Sequence, residues 1–183
     1  MNRLRAIGLL LAAAVTAQES EVQIFSPAHE SVVEDEVRIV AAGKGKLLLD
    51  GQPIEAKSPA EGVLHATVKV AAGAHELAIE GGPPVRFHAG AGAPAGWKPF
   101  RAHPPGGAAC ETCHAVKNGV WTFARASLTG VCFACHDREK FPKTHTHEPG
   151  IIPDCQLCHS PHGSTATFHL KMNKETACKQ CHN

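Results

Sequence analysis

The stretch Cys155-Gln156-Leu157-Cys158-His159-Ser160-Pro161-His162-Gly163, followed after Leu170-Lys171 by Cys178-Lys179-Gln180-Cys181-His182, decides how the C-terminal part of the chain is built. It holds two Cys-x-x-Cys-His motifs and one extra histidine. Two more motifs lie upstream, Cys110-Glu111-Thr112-Cys113-His114 and Cys132-Phe133-Ala134-Cys135-His136, and the four together use all 8 cysteines of the 183-residue chain. The spacing has a chemical reason. Two thiols three positions apart reach two neighbouring vinyl groups of a haem as thioethers, and the imidazole that follows lies under the iron as its fifth ligand. Four motifs therefore imply four covalently bound haem c groups.

Disulfides, zinc sites and iron-sulfur clusters also use paired cysteines, but none of them requires a histidine directly after the second one. With 13 histidines in 183 residues, four such placements by chance have a probability on the order of 1 in 40,000, which favours haem attachment. A cytosolic thioredoxin-type motif fails on repetition and on compartment.

The motifs start at 110, 132, 155 and 178, so successive starts differ by 22, 23 and 23 residues. The repeat is better described as a two-motif unit used twice, with His103-Pro104-Pro105-Gly106-Gly107 before the first pair and His147-Glu148-Pro149-Gly150 before the second. Carrying these features, residues 101–183 resemble the doubled-CxxCH multihaem cytochromes c. The first unit departs from that pattern, because Lys117 stands in the place His162 takes in the second.

An iron with two protein ligands has no open position, so the sixth ligands decide between electron transfer and substrate binding. After removal of the leader described below, Met172 is the one methionine left, so at most one haem could be His/Met ligated. Five non-motif histidines lie in this region: His103, His145, His147, His162 and His169. His103 and His147 match the upstream histidine of the family's unit and His162 its downstream one, so the resemblance implies these three as distal ligands. The fourth place lies between His145 and His169. We take His145, because the first unit lacks its downstream histidine and Thr144-His145-Thr146-His147 offers an extra imidazole between the units. In an extended segment His145 and His147 point to opposite faces and can serve two haems. His88 is an outside candidate. Trp121, Phe123, Phe133 and Phe141 read as packing around haem edges.

Upstream, the grammar changes. Residues 1–17 carry Arg3 and Arg5 ahead of an apolar run from Ala6 to Val15 and end at Val15-Thr16-Ala17, the pattern of a secretory signal peptide. The run is about half the roughly 20 residues needed to span a bilayer, so export to the periplasm or cell exterior is expected. Within 18–88, short alternating runs such as Val22-Ile24, Val37-Ile39, Leu47-Leu49, Leu64-Ala66-Val68-Val70, Leu77-Ile79 and Val85-Phe87 are divided by turn residues, Asp50-Gly51 among them. They predict five to seven strands in a small all-β sandwich, and the stretch resembles the immunoglobulin-like modules of exported bacterial proteins. His65 and His75 read as edge or surface residues. Residues 89–100, with Ala89-Gly90-Ala91-Gly92-Ala93-Pro94-Ala95-Gly96, read as a linker.

The expected fold class is thus a small immunoglobulin-like sandwich followed at 101–183 by a mostly irregular, short-helix tetrahaem cytochrome c domain. The net charge of +1 gives no support to nucleic-acid binding, and four haems would add roughly eight propionate carboxylates. The expected function is electron transfer along bis-His haems, with redox proteins as partners and self-association possible. Two rivals are a conducting filament or docking module and, with less support, a multihaem redox enzyme. An enzyme needs an open iron, and there are enough histidines to close every site.

Overall fold

The computed structural model describes residues 22–140, 147 and 154–182. Eight strands follow one another in the first part: β1 Gln23–Ser26, β2 Ser31–Val33, β3 Glu36–Ala42, β4 Leu47–Leu49, β5 Gln52–Ile54, β6 Val63–Lys69, β7 Gly73–Ile79 and β8 Val85–Ala89. They form two sheets. One has the order β1-β3-β6, all antiparallel; the other runs β5-β4-β7-β8-β2-β9, where β9 is Lys98–Pro99. Alternation along each strand sends every second side chain inward. Val37, Ile39 and Ala41 of β3 and Ala66 of β6 meet Leu47, Leu77, Ile79 and Phe87 from the second sheet in one core. Leu64, Val68 and Val70 pack against that core, as the sequence pattern predicts.

The Asp50-Gly51 pair closes the β4–β5 hairpin, where Leu49 faces Gln52. Both residues have positive φ, 51° and 76°, the two-residue turn whose twist matches that of the strands it joins. Asp50 has a second task. Its carboxylate accepts from the His75 Nδ1–H at 2.7 Å and from the Glu76 N–H at 2.8 Å, while the other ring nitrogen of His75 donates to Ala71 O at 2.8 Å. Both ring nitrogens therefore donate, and His75 is held as the cation. Burial works against that charge, but the Asp50 and Ala71 hydrogen bonds outweigh it and raise the His75 pKa; Asp50 is lowered, its hydrogen bonds outweighing its own burial.

The stability contributed by a raised histidine is present below its unfolded value, about 6.5, and is lost as pH rises through the folded value. That of a lowered carboxylate is present above its unfolded value, about 3.9, and is lost as pH falls. Asn tolerates the left-handed conformation of residue 50, so Asp50→Asn isolates the charge. It should cost about 1 kcal/mol near pH 5.5, the carboxylate being half exposed, and markedly less near pH 8.5. Denaturant melts at the two pH values check this; equal losses would reject the charged pair.

The 89–100 stretch differs from the expected linker at both ends. Ala89 is the last residue of β8 and fully buried. Lys98 and Pro99 pair in parallel with Ser31 and Val32, and the Phe100 N–H donates to Val32 O at 2.8 Å. Backbone hydrogen bonds, which do not need large side chains, hold both ends of this segment. Pro99 is compatible because β9 is the outermost strand.

From there the chain passes directly into β10, Arg101–Ala102, which pairs with β13, Gly163–Ser164. The pairing is close. A Cβ on Gly163, whose φ is +123°, would lie 2.6 Å from Arg101 O and from the Phe100 ring, so glycine is required there. Among the described residues, the rest of this part is a hairpin of β11 His114–Lys117 and β12 Val120–Phe123, two short helices, α1 Leu128–Cys132 and α2 Lys174–Lys179, and 3-10 turns. Among the described residues beyond 100, Leu170 and Ala177 are the buried apolar side chains. No helix among the described residues is long and apolar enough to cross a membrane.

Candidate haem sites

Each Cys-x-x-Cys-His motif folds as roughly one helical turn. In the second, third and fourth motifs the histidine N–H donates to the first cysteine's carbonyl, His136 to Cys132 at 2.9 Å, His159 to Cys155 at 2.9 Å and His182 to Cys178 at 3.0 Å. Positions three and four apart lie on one side of a helical turn, so both thiols and the imidazole face the same way. Local caps fix these turns. Ser127 accepts from the Gly130 N–H at 3.1 Å, Asp154 from Gln156 at 2.9 Å and Asn173 from Thr176 at 2.9 Å, satisfying the free amides at each start. The first motif differs. Cys113 N–H bonds Cys110 O at 3.2 Å, and His114 opens strand β11 instead.

The histidines fall into pairs. His103 lies over His136 with ring centroids 6.0 Å apart and planes 8° from parallel; His162 faces His114 at 6.2 Å and 27°; His147 faces His182 at 5.8 Å and 20°. Two imidazoles on opposite sides of one metal, each nitrogen about 2 Å from it, place their centroids roughly 6 Å apart. The spacing is therefore that of a ligand pair with a metal between, and too wide for direct stacking. Each upstream histidine faces the second motif of its own unit. His162, in contrast, crosses from the second unit to the first motif, the one whose own unit has Lys117 in the equivalent place.

Ring orientation is held from behind, as metal-binding imidazoles require. His159 Nδ1–H donates to Phe168 O at 2.9 Å, and His103 Nδ1–H to Pro161 O at 3.1 Å. The first of these depends on an unusual turn, since Phe168 and His169 both have positive φ, 57° and 54°. Two consecutive non-glycine residues in that region are costly. The turn presents Phe168 O to His159 and His169 O to the Ser160 N–H at 2.7 Å. His169 itself meets His103 edge-on at 5.2 Å and 69°, outside the near-parallel pattern. His145 lies outside the described residues, as does Phe141, and His88 is buried in β8, paired with Val32 and Ala74.

Further features fit a large apolar group at these positions. The exposed large apolar side chains are Val116, Val120, Phe123, Leu157 and Phe168, all within or directly beside the first and third motifs. Such surface is left open where a partner or cofactor covers it. Trp121 meets His114 edge-on at 4.7 Å, and its buried indole N–H has no partner among the described residues. Burial, with His114, Arg38 and His103 close by, lowers the His162 pKa to about 4. It is neutral at ordinary pH, the form that can donate a lone pair to a metal. Burial also pushes the Cys132 thiol up to about 11, with the Cys155 thiol beside it adding to the effect, and raises Cys113, next to Cys135. The second and third motifs thus meet through the Cys132 and Cys155 thiols.

Two contributors gave no sequence signal. Phe25 of β1 packs its ring 5.1 Å from that of His162, and Arg38 of β3 reaches the segment before the first motif. Both sit on strands far from any cysteine.

Comparison with known families finds that residues 147–183 match the doubled CXXCH motif. This stretch carries a multihaem c-type cytochrome motif, and its Cys-x-x-Cys-His sequences are attachment sites for haem c, a cofactor of electron transfer. Comparisons with curated proteins and with solved structures find no match.

Proposed function

We propose that the chain is an exported tetrahaem cytochrome that carries electrons along four bis-histidine haems, and that it is not an enzyme. The carrying observation is the three near-parallel imidazole pairs about 6 Å apart, each made of one motif histidine and one histidine from elsewhere. On this reading Cys110 and Cys113, Cys132 and Cys135, Cys155 and Cys158, and Cys178 and Cys181 form the thioether links. The irons would be held by His114 with His162, His136 with His103 and His182 with His147; His159 would hold the fourth, with His145 proposed as its partner from the sequence alone.

The bound cofactors would supply reversible one-electron chemistry between Fe(III) and Fe(II). The chain's own residues fix distance and orientation, withhold water and close both axial positions. Closing both leaves no site for a substrate, which supports a carrier over an oxidoreductase. Bis-His ligation also favours potentials below those of His/Met sites. We read the two-sheet body as an immunoglobulin-like second domain, and the partners as other redox proteins.

The ligand set is tested by His147→Ala. The variant should convert one low-spin haem to high-spin in the visible and electron paramagnetic resonance spectra, leaving the others as they were. An unaltered low-spin spectrum removes His147 from the set.

A further inference from the structure

Along β3 the side chains alternate, and Arg38, between buried Val37 and Ile39, projects away from the core. Its guanidinium donates to Ala108 O at 2.6 Å, two residues before the first motif, and its Nε–H reaches His65 Nε2 at 3.4 Å. Gly107 makes room for it. A Cβ there would clash with Arg38 Nη1, and Gly107 has a φ of +76°. Among the described residues no carboxylate pairs with Arg38, and the group it touches, His65, is held toward the neutral form by burial and by the charges of Arg38 and Lys57. The cation is therefore uncompensated. Phe25, from the neighbouring strand, closes the same side by packing on His162.

We infer that Arg38 belongs to the haem site of the first motif and raises the potential of the haem held by His114 and His162, so that the β-sheet body is a working wall of that site and more than a docking appendage. The inference rests on the ligand assignment proposed above. On reduction the iron centre gains one electron and its net charge falls by one. A fixed positive charge nearby stabilises the reduced form relative to the oxidised one, and low exposure limits screening. At a charge separation on the order of 10 Å and an effective dielectric constant near 20, the effect is roughly tenfold in the Fe(II)/Fe(III) ratio.

The test is potentiometric titration of the full-length holoprotein, followed in the low-spin haem bands, for Arg38→Gln and Arg38→Lys. Gln keeps a donor for Ala108 O but loses the charge; Lys keeps the charge. Arg38→Gln should move one redox component to lower potential by about 59 mV, the one-electron equivalent of tenfold, with the others in place and all haems low-spin. Arg38→Lys should stay near the parent value. Thr67 lies opposite Arg38 in the β3–β6 pair and is exposed, so Thr67→Asp should neutralise Arg38 from a separate position and produce the same shift even where Arg38→Gln loads haem poorly. Unmoved components in Arg38→Gln and Thr67→Asp would overturn the inference, as would an Arg38→Lys shift as large as that of Gln. His162→Ala, measured in parallel, separates the two levels. A spectrum that stays wholly low-spin there defeats the ligand assignment, whereas a new high-spin haem with potentials insensitive to residue 38 defeats the role of Arg38 alone.

Discussion

A chain with Cys178 and Cys181 both changed to alanine should leave an exporting, haem-attaching host one haem lighter than the parent, with the other three motifs loaded. Both thiols are exposed at the end of α2, and the helix is held by the Asn173 cap and by the Lys179–Glu175 pair at 2.7 Å, neither of which involves sulfur. The polypeptide therefore loses little packing of its own. Without thioether links, His182 and His147 retain at most a weak, exchangeable grip on a haem. Intact-mass spectrometry with haem quantification reads the outcome directly. A disulfide or zinc role for the motif predicts no change in haem content, and a parent chain with the mass of bare polypeptide would remove the basis of the haem reading altogether.

The motifs, the strands and the hairpin turn were legible because each is local. Thiols at i and i+3 with a histidine at i+4 need only one turn of backbone to face together, and Asp50-Gly51 announces its turn through two adjacent residues. What escaped the sequence depends on pairs distant along the chain. The doubled-unit pattern suggests that His162 belongs to its own unit, yet its ring faces His114, 48 positions earlier by residue number. That partner follows from the pairing of β10 with β13, two-residue strands with no periodicity to read. Arg38 and Phe25 escaped for a related reason. On an alternating strand an outward arginine or a half-buried phenylalanine has an ordinary explanation, and nothing local tells which surface will cover it. The 89–100 segment misled in another way: composition reports what side chains can pack, while β9 is held by the backbone.

The largest effect on folding is expected at Phe87. It lies in β8 between β7 and β2, is fully buried, and stacks under His75 with ring centroids 5.4 Å apart. Phe87→Ala removes the largest buried side chain of the shared core, and a close-packed interior collapses only partly around such a hole, so the loss should be about 3–5 kcal/mol. A chemical melt followed by far-ultraviolet circular dichroism measures it, and a loss below about 1 kcal/mol would mean that the two sheets do not share the core described. The consequence should reach the haem sites unevenly. Phe25 packs on His162 and Arg38 holds the segment before the first motif, whereas among the described residues no hydrogen bond or ring contact joins the two sheets to the His147–His182 pair. In mild denaturant the variant should therefore disturb the low-spin signal of the first motif's haem before that of the fourth. Simultaneous loss of every haem signal with the β-sheet spectrum would contradict that unequal coupling.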